Sequence, residues 1–258
     1  MDWTFLPGKT YAIIGARSGS KNVPQKNIYN IHGFPLLAYS IAAGILTPEI
    51  ERVLVSTNSK QFKAVAEQFG GEVPFLRPDE LATDTSTDRD FIVHTLETLQ
   101  KQEGGIPEYL VFLRPTSPLR DPKKISEALA YFKEMPEATG LRSAHVTNII
   151  PQKLFHLDGK FFKGLFPHDT RSEYHGLPRQ SFPVSYKPDG YIDILKTKTI
   201  LESKESMYGD SILAFLTPDT GDIDVISDVE YVHAVLESGD WDVYEYLRNN
   251  YASLQSAS

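Results

Sequence analysis

The chain contains no cysteine among its 258 residues, so neither a disulfide nor a thiolate metal site can contribute to it. No apolar run approaches the roughly 20 residues of a membrane span. The opening Met1-Asp2-Trp3-Thr4 lacks the basic-then-apolar pattern of a secretory signal, and the expected location is cytoplasmic. Positive charge is in deficit: 26 Lys and Arg against 34 Asp and Glu leave a formal net charge of −8, which argues against broad nucleic-acid binding. The seven histidines show neither H-x-x-x-H nor H-E-x-x-H spacing, and His145, His156, His168 and His175 read as surface or dimer-face residues rather than ligands. The G-x-S-x-G elbow of serine hydrolases is absent as well. What remains, at 41% hydrophobic and 23% charged residues, is an ordinary globular composition sufficient for one sizeable α/β domain.

Against the acidic background, one basic stretch stands out. Tyr11 to Ile14 reads as a buried parallel strand and breaks into Gly15-Ala16-Arg17-Ser18-Gly19-Ser20-Lys21, followed by Lys26-Asn27. A Gly- and Ser-rich loop at a strand's C-terminal end can turn several backbone N–H groups toward one point. With Arg17, Lys21 and Lys26 it suits a polyphosphate, although a solvated basic loop has the same composition. It is neither a Walker loop nor a G-x-G-x-x-G fingerprint.

Further along, the pattern predicts an extended segment at 28–31, a turn at 33–35, a helix from Leu36 to Ile45, and a strand at 52–57. Ser59 is the expected N-cap of a helix from Gln61 to Phe69, before a third strand at 73–76. A helix from Phe91, a strand at 109–113, a helix entered through Pro122 and a strand at 140–144 continue the βαβ alternation. From 146 to 188 the pattern changes to five prolines, aromatics and short alternating runs. This excursion reads as short strands packed on a second subunit, or as a flexible surface lid. Strands at 190–195 and 211–216 and two helices (227–236 and 243–250) complete a single domain spanning 1–258.

Near the end lies Gly221-Asp222-Ile223-Asp224. In extended backbone, residues i and i+2 share a face, so both carboxylates can meet one cation. Such hard oxygen ligands suit Mg²⁺; the alternative is a solvated strand end. Arg77 precedes a polar, hydroxyl-rich loop containing Ser86 and Thr87, and by itself reads equally well as a surface ion pair with Asp79, Glu80 or Asp84.

Several of these segments resemble one family. Ala16-Arg17-Ser18-Gly19-Ser20-Lys21 with Pro24, Lys26 and Asn27 is similar to the A-R-S-G-S-K-x-x-P-x-K-N signature of the CMP-sugar synthetases, cytidylyltransferases that activate sialic acids and related 2-keto-3-deoxy sugar acids. Arg77-Pro78 to Ser86 resembles their R-P-x-E-L-A-x-D-x-S segment, Pro115 to Arg120 their P-T-S-P-L-R, and Asp222-Ile223-Asp224 their I-D-I-D element. The resemblance runs from about Tyr11 to Leu236. It implies a three-layer, Rossmann-like nucleotidyltransferase fold with a mainly parallel sheet, and a homodimer built through 146–188.

It also implies roles. Arg17 and Lys21 would stabilise the reacting phosphates, with Ala16, Ser20, Lys26, Asn27, Arg77 and Ser86 on the nucleotide, CTP. Asp222 and Asp224 would hold Mg²⁺. Arg114, Lys153, Arg179, Gln180 and Lys187 would face the acidic sugar. Here the sequence departs from the family: Arg114 stands where Gln is usual, Lys187 and Asp189 replace Arg and Asn, and Asp193 lies where an aromatic is frequent. Those departures leave the acceptor open, and a different acidic acceptor or a non-catalytic nucleotide sensor remain alternatives.

Overall fold

The structure, a computed structural model, describes residues 2–20 and 23–254. Its centre is a six-stranded sheet in the order β10-β6-β9-β5-β1-β4. The strands are β1 (Phe5–Gly15), β4 (Arg52–Ser56), β5 (Ile106–Phe112), β6 (Gly140–Thr147), β9 (Ser185–Lys196) and β10 (Ile212–Leu216). All neighbours run parallel except β9, which is antiparallel to both β5 and β6. A small hairpin, β2 (Asn30–Ile31) and β3 (Phe34–Pro35), follows the basic loop, and a second, β7 (Phe155–Asp158) and β8 (Phe161–Gly164), lies in the excursion.

The period-2 alternation of the central strands divides the core into two layers. Ala12 and Ile14 of β1, Val111 of β5, and Ile192 and Ile194 of β9 face one side. Packed on that side are α1 (Leu36–Ile45), α2 (Lys60–Gln68), α4 (Pro122–Lys133), α6 (Ile226–Ser238) and α7 (Asp242–Tyr251). Tyr11, Ile13, Leu110, Phe112 and Leu195 face the other side, against α3 (Asp88–Glu103) and α5 (Thr197–Glu202). Burial on both faces explains why these strands read as continuous apolar runs. Among the described residues no helix is long and apolar enough to cross a membrane.

Local signals account for the helix ends. Ser59 caps α2 by accepting from Phe62 N–H at 3.3 Å, and Asp121 caps α4 with Pro122 as its first residue. Helix α3 begins at Asp88, earlier than the apolar pattern suggested, because Thr87 and Asp90 form a capping box: Thr87 N–H donates to Asp90 Oδ2 at 2.7 Å and Asp90 N–H to Thr87 Oγ1 at 3.3 Å.

Four expectations change. Residues 73–76 do not form a strand: only Glu72 bridges to β4, and Pro74 has no N–H to continue the ladder before Arg77 N–H reaches Thr57 O at 2.8 Å. Lys26–Ile28 is a 3₁₀ turn, and Phe34–Pro35, read as a turn, forms β3. His145 is buried rather than on the surface, with its ring between Asp189 and Asp219 at 3.6 and 3.7 Å. The excursion begins and ends inside the sheet, since Val146 and Thr147 pair with Tyr186 and Ser185. Between those rungs the β7–β8 hairpin displays Phe161 and Phe162 at 75% exposure each.

Candidate active site

Beyond the carboxyl ends of β1, β4 and β5 the structure opens a cavity of about 430 Å³. This is where parallel α/β sheets bind ligands, because each strand there releases a loop with free backbone N–H groups. Gly15, Arg17, Gly19, Ser20, Lys26, Asn27, Arg77, Ser86 and Arg114 all line it, so residues spread over a hundred positions converge on one space. Lys21 lies outside the described residues.

The basic loop is tied down from below. Ala16 N–H donates to Ser56 O at 2.9 Å, Ser18 N–H to Asn58 Oδ1 at 3.0 Å, and buried Asn27 Nδ2 to Arg17 O at 2.9 Å. Ala16 therefore shapes the loop from beneath, Asn27 both braces it and borders the cavity, and Arg17, Gly19 and Ser20 meet the cavity. Arg17 Nη1 contacts Asp84 Oδ1 at 2.9 Å, a half-exposed pair of small energetic weight that an anionic ligand can displace.

Arg77 is buried, which removes the surface ion-pair reading. Its Nε donates to Ser56 Oγ at 3.0 Å and its Nη2 to Ser56 O at 2.6 Å, with the guanidinium 4.2 Å from the Phe91 ring centre. Burial pushes its pKa down to about 10, against the pull of Asp88 and with a small push from Arg17. Gly15 sits directly above: a Cβ there would lie 2.7 Å from Phe91 Cζ. Backbone, arginine and phenylalanine thus form a flat floor suited to an aromatic base. Ser86 borders it, its hydroxyl donating to Glu80 O at 3.2 Å and accepting from Thr83 N–H at 3.0 Å.

Arg114 forms another wall. Nη1 donates to Asp88 Oδ2 at 2.6 Å and Nη2 to Asp193 Oδ2 at 3.0 Å, while the guanidinium lies 4.2 Å over Phe112. Burial alone would lower its pKa, but Asp88 and Asp193 hold it above its ordinary value. Arg120, in the turn after Arg114, is fully buried, and the partners it donates to are carbonyls and a hydroxyl. It donates to the carbonyls of Ser117, Arg114, Gly190 and Tyr191 at 2.5 to 2.8 Å and to Ser40 Oγ at 2.8 Å. One side chain thereby holds together the turn after β5 and the bend within β9. Burial pushes its pKa down to about 10.

Asp222 and Asp224 lie beside this cavity rather than in its lining, in a segment without regular structure. Buried Ile223 anchors them, donating its N–H to Thr116 O at 2.8 Å. Lys26 Nζ donates to Ile223 O at 2.9 Å and to Asp224 Oδ1 at 3.1 Å, and Asp222 Oδ1 is 3.4 Å from Ser117 Oγ. Asp228 accepts from the N–H groups of Asp224 and Val225 at 2.7 and 2.8 Å, fixing the entry to α6. Among the described residues no group of three acidic or histidine side chains surrounds one point. Two carboxylates and a hydroxyl are nonetheless hard oxygen donors, and Lys26 marks the place as one that draws a cation.

Lys153, Arg179, Gln180 and Lys187 do not line the cavity; they lie on the excursion and on β9. Arg179 Nη2 donates to Asn148 Oδ1 at 3.1 Å, and among the described residues none of the three cations meets a carboxylate. Sequence reasoning overlooked Asp88, Phe91, Phe112 and Arg120 as parts of the site. The signal that could have placed Asp88 at a helix start is the capping pattern Thr87-x-x-Asp90, but nothing in it points to Arg114.

The sequence pattern of the cytidylyltransferase family matches residues 11–158. N-acylneuraminate cytidylyltransferase of Escherichia coli is 33% identical over 227 residues, 88% of this chain and 51% of that protein. CMP-N,N'-diacetyllegionaminic acid synthase of Legionella pneumophila is 35% identical over 197 residues, 75% of this chain and 80% of that protein. The chain thus spans about half the length of the first relative and most of the second. A solved structure of CMP:2-keto-3-deoxy-manno-octonic acid synthetase complexed with CTP shares the fold, with a TM-score of 0.66 at 18% identity over 89% of this chain and 98% of that one.

Proposed function

The chain belongs to the cytidylyltransferase family, and from that premise we propose that it transfers the cytidylyl group of CTP to a 2-keto-3-deoxy sugar acid of the nonulosonic type. The products are a CMP-sugar and pyrophosphate. The observation that carries this reading is the convergence of the basic loop, the Arg77 floor and the Arg114 wall on one cavity.

In the reaction the sugar's anomeric hydroxyl oxygen attacks the α-phosphorus in line, and the bond from that phosphorus to the bridging oxygen of pyrophosphate breaks. Such transfers need positioning and charge neutralisation more than covalent help. Loop N–H groups, Ser20 and the cations Arg17, Lys21 and Lys26 receive the triphosphate and the charge it develops. Arg77, Phe91, Ser86 and the Gly15 backbone receive the cytosine. Asp222 and Asp224, with Ser117 close by, would hold Mg²⁺, which when bound would neutralise phosphate charge and lower the hydroxyl's pKa. Lys26 would then exchange Asp224 for a phosphate oxygen. On the acceptor, Arg179, Lys153, Gln180 and Lys187 would meet the carboxylate side; a guanidinium suits a carboxylate through paired N–H donors. Their distance from the lining, and the exposed aromatics of β7–β8, support a homodimer formed through 146–188.

The test is pyrophosphate release from CTP and Mg²⁺ across a panel of 2-keto-3-deoxy sugar acids. Release requiring both CTP and one acceptor is expected. Clear CTP binding with no release for any acceptor would overturn the sugar-acid half of the reading.

A further inference from the structure

Two departures from the family pattern, Arg114 and Asp193, meet in the structure at 3.0 Å. They lie 79 residues apart, and β9 brings them together by inserting antiparallel between β5 and β6. The pairing sets Phe112, Asp193 and Arg142 side by side across three strands. Alternation along β9 turns Asp193 toward the layer of Phe112 and Leu195, where its side chain is fully buried. There it accepts from Arg114 Nη2 and from Tyr208 Oη at 2.8 Å, with Arg142 Nε 3.6 Å from its second oxygen. A buried carboxylate is costly unless paired, so this one must be held by its neighbours.

The consequence falls on Arg114. Asp88 and Asp193 grip its two terminal nitrogens, Phe112 supports its face, and Gly190, at φ +66°, leaves open the space where a Cβ would sit 2.7 Å from its Cδ. Asp88 and Asp193 thereby offset the charges of Arg114 and Arg142 at this wall. The cavity therefore meets a guanidinium in a fixed orientation with N–H donors to spare but little attraction for an anion. A third carboxylate here would meet Asp88 and Asp193 as like charges.

We propose that Arg114 reads an uncharged oxygen of the acceptor, a hydroxyl or the carbonyl of an acylamino group, and that Asp193 is the positioning residue that fixes it for this task. Acceptor choice at this wall then depends on a neutral substituent rather than on the sugar's carboxylate. The inference rests on the cytidylyl-transfer reading above.

The experiment compares wild type, Asp193→Asn, Arg114→Gln and the double variant, using steady-state constants for the best acceptor and for CTP. It adds inhibition constants of two acceptor analogue types, the carboxamide and a series lacking single hydroxyl or acylamino groups. Asp193→Asn should raise the acceptor KM about tenfold and leave the CTP KM within about twofold, the scale of one charge-assisted hydrogen bond. Arg114→Gln should weaken the acid and its carboxamide equally, about tenfold, and should cost nothing toward the one analogue lacking the group it reads. Because Arg114→Gln alone strands Asp193, the double variant is the folding control, and it should show the same acceptor loss with a recovered melting temperature. Loss of the Arg114→Gln effect on the carboxamide would overturn the inference in favour of a carboxylate contact. Equal shifts in acceptor and CTP constants for Asp193→Asn, or none, would overturn it in favour of a structural role. Wild-type protein that binds CTP but releases no pyrophosphate with any sugar acid would refute the underlying reading, and the inference with it.

Discussion

Gly15 shows how a single missing Cβ shapes this site. Its backbone lies against the edge of Phe91 and above the Arg77 guanidinium, a closeness only glycine permits. Gly15→Ala forces a contact of 2.7 Å with a ring already packed on Phe112 at 5.7 Å between centroids, so the ring cannot simply swing aside. The expected cost is about 1–3 kcal/mol of stability, with CTP affinity lowered on the order of tenfold by titration calorimetry, since loop and floor move apart. Unchanged affinity would remove Gly15, Phe91 and Arg77 from the proposed base floor. Arg77 carries a second residue-scale lesson. Its position was visible in the sequence, but its burial was not, because Ser56 and Phe91 reach it from other elements.

Among the elements, α6 and α7 depend on an aromatic contact with the turn of the β2–β3 hairpin. His32, in left-handed backbone at φ 50°, places its ring 5.6 Å from His233 of α6 and 4.9 Å from Tyr244 of α7. Burial, and secondarily the neighbouring His32, hold the His233 pKa below its ordinary 6.5. The unfolded chain therefore takes up more protons as pH falls through 6.5, and stability is lost below that value and complete above it. His94, also lowered mainly by burial, works in the same direction from α3. His233→Gln should thus shrink the drop in melting temperature between about pH 7.5 and about pH 5, leaving the His94 share. Identical drops in variant and wild type would show that this contact does not titrate. Since α6 begins at the Asp222–Asp224 segment, loosening it should also reach the acidic pair.

For the whole molecule, charge and exposed apolar surface point to two different uses. A net charge of −8 repels nucleotides at a distance, so the proposed binding of CTP would fall to the cavity's cations. The excursion instead presents Leu157, Phe161 and Phe162, each at least 66% exposed, a surface expected to be covered in the proposed homodimer. Replacing Phe161 and Phe162 together by Ser should convert a dimer into a monomer in sedimentation while CTP binding persists, because neither residue lines the cavity. A wild-type monomer at micromolar concentration would refute the dimer proposal.

The sequence by itself determined the alternation of buried strands and capped helices, the basic loop after β1, and the place of Arg114 just past the end of β5. These are legible because burial on both faces, capping and loop chemistry are written in residues close together in the chain. It misjudged residues 73–76, where apolar content resembled a strand but Pro74 could not join a ladder. What only the tertiary structure decided was which charges are free and which are paired. Arg114 reads as a spare cation until Asp88, 26 residues before it, and Asp193, 79 residues after it, are seen to hold it. The insertion of β9 between β5 and β6 creates that pairing, and strand order is set by packing across the whole sheet rather than by any local pattern.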